Sequence, residues 1–90
     1  MRTNFTILIA SDPEHEKVFA EIYCGERFVA LVSQEEGLHC LRIEVPDATM
    51  EESMVLRKVE MEGFQEALRS AARKLAGVKG SVLTIDTELE

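Results

Sequence analysis

Cys24, Cys40, His15 and His39 are the residues of this chain with the most reactive side-chain chemistry. His39 and Cys40 are neighbours, which invites a thiolate nucleophile with an imidazole base. Consecutive residues of a strand point to opposite faces, so these two do not form a dyad. Cys24 with His39 across a sheet would still need a third orienting group and a pocket, and the sequence marks neither. Both thiols are therefore expected to pack as small apolar side chains. A second cluster, Asp12, Glu14, His15 and Glu16, offers ligands that suit a hard cation. Its spacing matches no metal motif, and it lacks the glycine of a calcium loop, so it reads as a solvated charged loop. Asp47, Glu51 and Glu52 read the same way as a metal site. Glycine-rich phosphate loops, paired-cysteine zinc spacing and serine elbows are missing. The expectation is a protein with no catalytic residue, no cofactor and no metal.

Charge narrows the choice of partner. Seventeen acidic residues against ten basic ones give a formal charge of −7. An acidic surface repels nucleic-acid backbones and suits a basic protein, whose encounter it speeds. No apolar stretch reaches membrane-spanning length. Arg2 followed by Phe5–Ala10 imitates a signal peptide, but the run is too short and enters Ser11-Asp12-Pro13-Glu14 without a cleavage site. Two cysteines are too few for a disulfide framework. The expected compartment is the cytoplasm, with free thiols.

Ninety residues suffice for one domain, and 46% hydrophobic with 30% charged content is globular rather than disordered. A core this small is marginal, so a homodimer interface would be unsurprising.

The elements that must position these residues are mostly strands. Asn4–Ala10 alternates Phe5, Ile7 and Ile9 with Thr6, Leu8 and Ala10, and is apolar on both faces. Val18–Cys24 and Arg27–Gln34 form a hairpin closed at Cys24-Gly25 or Gly25-Glu26, where glycine supplies the positive φ of a tight turn. Regular pairing places Val18, Ala20 and Ile22 with Val29 and Leu31 on one face, the expected core. It places Phe19 and Tyr23 with Phe28, Ala30 and Val32 on the other, around Glu21. Ser33–Gly37 is a polar turn. Leu38–Val45 alternates cleanly, with Leu41, Ile43 and Val45 on a dry face, and Pro46-Asp47 ends it. Thr49 with Glu52 fits a capping box for a helical turn. Met54–Met61 reads as a fifth strand at an edge, or as a continuation of that turn. Glu62–Ala76 is a helix with Phe64, Ala67, Leu68, Ala71 and Leu75 on one stripe, closed by Gly77. Val78–Asp86 suits a short final strand. The predicted fold is α+β: an antiparallel β-meander of about four to six strands with one C-terminal amphipathic helix packed on one face.

The hairpin Val18–Gly37, the strand run Leu41–Pro46 and the closing helix Phe64–Leu75 together resemble small bacterial proteins of unassigned function, a group similar to the immunity proteins that accompany secreted toxins. The resemblance spans residues 18–76, roughly two thirds of the chain. Its motifs are structural, so it carries no site residues with it. The usual Asp-Gly or Asn-Gly hairpin turn is Cys24-Gly25 here. The resemblance implies a stoichiometric inhibitor that covers a basic toxin site. For that role the sequence offers Phe19, Tyr23 and Phe28 as aromatic anchors, and Glu21, Glu35, Glu36, Asp47, Glu51 and Glu52 as complementary charge. The alternative is a homodimeric structural or regulatory module that uses the Phe19/Tyr23/Phe28 face against its own copy.

Overall fold

A computed structural model describes residues 4–77 of the chain. Four strands, β1 (Phe5–Ala10), β2 (Phe19–Cys24), β3 (Arg27–Ser33) and β4 (Arg42–Glu44), form one antiparallel sheet in the order β1-β2-β3-β4. A 3₁₀ turn at Glu52–Met54 and the helix α1 (Met61–Gly77) follow. The meander with one C-terminal helix is the arrangement that the hydrophobic periodicities predict, at the low end of the strand count. The expected strand Val78–Asp86 lies outside the described residues.

The hairpin closes at Gly25-Glu26, because Cys24 pairs with Arg27. Gly25 takes φ +64° at the first loop position, which glycine adopts without steric cost. Beyond the turn the register departs from regular alternation. Tyr23 faces Phe28, but Ile22 faces Ala30 and Ala20 faces Val32, so a bulge inserts Val29 as an extra residue. One inserted residue inverts the parity of everything after it. Ala30 and Val32 therefore lie on the face of Ala20 and Ile22, and Leu31 pairs with Glu21 on the opposite face. This corrects the regular-pairing assignment, which had Leu31 in the core and Ala30 and Val32 outside it.

The helix covers the Ala20/Ile22 face. Its buried residues are Gly63, Ala67, Ala71 and Leu75, packed against Ala20, Ile22, Val29, Ala30 and Val32, with Phe64 and Leu68 half-buried at the margin. Small residues on both sides allow close approach. A Cβ built at Gly63 would lie 3.0 Å from the Phe5 ring, and that ring leans on Phe64 with centroids 6.3 Å apart. Burying Ile22 and Leu75 contributes about 1.5–3 kcal/mol each.

Two expected strands differ from the prediction. Leu38–Cys40 turns, with Gly37 N–H donating to Gln34 O and Cys40 N–H to Gly37 O, so β4 keeps three residues. Leu41 packs against the core, whereas Ile43 and Val45 are 52% and 71% exposed. The helix contacts β1, β2 and β3 and does not reach β4, so the alternation there marks a face without a cover. Met54–Met61 forms no ladder. Val55 makes a single parallel bridge to Phe28, and Leu56 N–H donates to Phe28 O at 3.0 Å. Arg57 supplies what a ladder would have: its Nε reaches both Glu52 carboxylate oxygens, and its terminal nitrogens donate to Pro46 O and Asp47 O. The helical turn is present at Glu52–Met54 without the expected capping box. Its N-cap is Glu51, with no side-chain cap. Thr49 instead donates its N–H and hydroxyl to Asp47 Oδ1 in a local turn.

Candidate functional site: the uncovered face of the sheet

The face of the sheet away from α1 has two ends with different fates. At one end the loop after β1 folds back over it. His15 stacks on Phe19 with ring centroids 4.6 Å apart, and Phe19 is only 3% exposed. Glu35 holds the loop by accepting the N–H groups of Glu16 and Lys17 at 2.9 and 3.0 Å. Gln34 donates to Val18 O. Those two N–H donors hold the Glu35 carboxyl below its ordinary range. His15 ties the loop to β4: its Nδ1 lies 2.8 Å from Asp12 Oδ1 and its Nε2 lies 3.2 Å from Glu44 Oε2. Ionised carboxylates only accept, so both contacts are hydrogen bonds at once only when His15 is the imidazolium. The hydrogen bond to Asp12, aided by Glu44, raises its pKa against the opposing effect of burial. An imidazolium donating from both nitrogens holds no free lone pair for base catalysis. It is a clamp between loop and sheet.

At the other end the face stays open. Leu8, Glu21 and Leu31 lie side by side across β1, β2 and β3, and Thr6, Tyr23 and Phe28 form the next row. Leu8 is 48% exposed; Glu21, Tyr23 and Phe28 are half-buried. The Tyr23 and Phe28 rings meet edge to face at 5.7 Å, an arrangement worth about 0.5–1.5 kcal/mol beyond area burial. Tyr23 Oη donates to Glu21 Oε1 at 3.4 Å. Burial first, and then the neighbouring Glu21 charge, raises the Tyr23 pKa, so the hydroxyl keeps its proton. Among the described residues this long hydrogen bond is the only one that the Glu21 carboxylate accepts. The result is a carboxylate set among Leu8, Leu31 and Tyr23, with Phe28 beyond Tyr23. Such a site favours a guanidinium or ammonium group, which would gain an ion pair and an aromatic face together.

The nine residues singled out in the sequence are not one patch. Glu21, Tyr23 and Phe28 come together. Phe19 is buried beneath His15, so it is no anchor; the sequence signal for this was a histidine four residues before a phenylalanine at a loop–strand junction. Glu35 is used in holding the loop. Glu36 pairs with Arg42 at 3.0 Å and accepts from Cys40 Sγ at 3.4 Å, and the Arg42 bond holds its carboxyl low. Asp47 and Glu52 fasten the segment that carries Arg57. The Phe28–Val55 bridge brings the start of that segment, with exposed Glu51 and Glu52, alongside β3 near the aromatic pair. What the sequence reading missed is an apolar cleft on the helix side, lined by Val29, Ala30, Val45, Leu56, Val59 and Phe64, with a volume of about 300 Å³. It follows from the bulge at Val29 and from the bare end of β4.

The thiols are dispersed. Cys24 sits at the hairpin end of β2, paired with Phe5, while Cys40 and His39 lie in the turn at the far end of β3. Among the described residues no three histidine, cysteine or carboxylate side chains gather as metal ligands, and no helix is long and apolar enough to cross a membrane. Comparison with protein-family models, curated proteins and solved structures finds no match for the chain.

Proposed function

We propose that the chain is a non-enzymatic acidic protein-binding domain whose open sheet end takes a basic side chain of a partner, as an immunity-type inhibitor would take its toxin. The observation that carries this is the half-buried Glu21 carboxylate beside the Tyr23/Phe28 pair. The net charge of −7 supports it by favouring a basic partner. Tyr23 and Phe28 supply rigid contact area at small entropic cost, and Glu21 supplies direction. The acids at Glu51 and Glu52 form the rim, where charge changes the rate of encounter more than the affinity. Glu35, Glu36 and Asp47 serve the scaffold of this surface and not the contact.

The test is capture from lysate of the source organism with the wild-type chain, with Tyr23→Ala and with Glu21→Gln, at low and high salt. The expected result is a basic protein bound one to one, released by salt, lost at least tenfold with either variant, and inhibited in its own activity when bound. A bound protein indifferent to salt and to both substitutions would place the binding surface elsewhere and remove this reading. The second reading, a self-associating module, loses Phe19 as a contact residue. An edge of the sheet favours it instead.

A further inference from the structure

We infer that β1 is a dimerisation edge, at which two copies of the chain pair their β1 strands antiparallel about a two-fold axis normal to the sheet. The inference does not rest on the binding role given to the Glu21 site, which Thr6 and Leu8 of β1 border.

The two edges of this sheet are treated differently. β4 has three residues, carries Arg42 and Glu44, and runs into Pro46. Charge, brevity and proline are the usual protections of an unpaired edge. β1 has none of them. Residues 4–10 contain no charged residue and no proline, in a chain that is 30% charged. Among the described residues no strand pairs with its outer side. Leu8 and Ile9 are 48% and 38% exposed on opposite faces of it.

The strand is also complementary to itself. An axis normal to the sheet keeps each face on its own side, so partners in the pairing must share parity. Centring on Ile7 pairs Ile7 with the second Ile7, Phe5 with Ile9, and Thr6 with Leu8, and it uses the whole run 4–10. The Phe5/Ile7/Ile9 rows of both copies then form one apolar strip on the helix side, which covers the exposed Ile9.

Beside β1, beneath α1, lies a cleft of about 520 Å³ lined by Asn4, Phe5, Ile7, Gly63, Ala67 and Ser70, with Glu66, Arg69 and Arg73 also on the helix wall. In the two-fold arrangement the two α1 helices approach antiparallel across this cleft. The wall carries two arginines and one acid, so it lacks the excess of negative charge with which the chain as a whole repels its copy. The dimer would be one eight-stranded sheet, with both helices on one side and both open ends on the other.

Sedimentation velocity of the full chain across micromolar to millimolar concentration tests this, together with two charge variants of β1. Thr6→Lys with Leu8→Lys places like charges opposite each other across the axis. Thr6→Glu with Leu8→Lys places opposite charges there at the same two positions. The expected result is a wild-type dimer, a dissociation constant at least tenfold weaker for the double-lysine variant, and recovery for the Glu/Lys variant, with thermal melts showing that both variants fold. A monomer throughout the range, or a dimer indifferent to both variants, would overturn the proposal. A monomer that dimerises only when residues 78–90 are removed would also overturn it, in favour of the chain's own C-terminal segment on this edge.

Discussion

His15 Nε2 lies 3.2 Å from Glu44 Oε2, joining the loop after β1 to the last strand of the sheet across 29 positions of sequence. With Asp12 at the other nitrogen, the contact holds only while the ring is charged and the carboxylates are ionised. His15 has its folded pKa raised above 6.5, so its contribution is fully present below the unfolded value and is lost as pH rises through the folded value. Asp12 has its pKa lowered below 3.8, chiefly by the His15 hydrogen bond, so its contribution is present above that value and is lost as pH falls through the folded one. Thermal melts should therefore show the clamp intact in mildly acidic buffer and released as pH rises through the raised His15 value. His15→Asn should lower the midpoint at pH 6 by roughly 2–5 °C and flatten the dependence above it. An unchanged profile in that variant would mean that the clamp adds nothing to stability.

The buried seam between helix and sheet sets the largest mutational costs. Leu75→Ala and Ile22→Ala remove side chains that are 1% and 0% exposed, and each should cost about 2–5 kcal/mol in urea unfolding. Leu68→Ala, which the helical stripe alone would rank with them, should cost less than either because Leu68 is half-buried at the margin.

Gly63→Ala sets two effects against each other. Alanine gains about 1 kcal/mol of helix propensity over glycine. Its Cβ would lie 2.8 Å from Glu60 Oε1, the oxygen that accepts the Gly63 N–H, and 3.0 Å from the Phe5 ring. Glu60 can swing away at the loss of that cap, whereas Phe5 is backed by Phe64. The expected balance is a destabilisation of about 1 kcal/mol; a more stable variant would show that the Phe5 ring moves freely.

Arg57 fastens the segment between β4 and α1 through one carboxylate and two carbonyls. Arg57→Lys should fail almost as fully as Arg57→Ala, because an ammonium group cannot reproduce the planar fork. Hydrogen exchange at the Leu56 amide, which donates to Phe28 O, should quicken about tenfold in both variants. If the lysine variant exchanged at the wild-type rate, simple charge would be sufficient there.

The parts of this fold that are legible in the sequence are those with local causes. The helix is written in the spacing of Ala67, Ala71 and Leu75, and the hairpin in Gly25 between two β-rich runs. The bulge at Val29 is not, because Phe28 to Val32 is apolar throughout, so a change of parity within it leaves no mark in the polar and apolar pattern. The covering of Phe19 and the uses of Glu35 and Glu36 depend on loops meeting across the sheet, which no spacing within a single segment records. The grouping of Glu21, Tyr23 and Phe28 on one face is legible because regular pairing of the hairpin already places them together; that the helix covers the other face is not. The emptiness beneath Ile43 and Val45 is not legible either, since a dry-looking strand face does not say how wide the covering helix is.

The bulge makes strand β3 a device that counts. Phe28 is presented to the open face and Ala30 to the core although they stand two apart, which an unbroken strand would forbid. Loss of Val29 would make Phe28 and Ala30 neighbours, and plain alternation would then keep the ring on the open face and the alanine in the core, at the expense of the buried Val29 side chain. The strand should therefore accept removal of Val29 with its pairing intact, whereas removal of Leu31 would turn Val32 from the core to the open face.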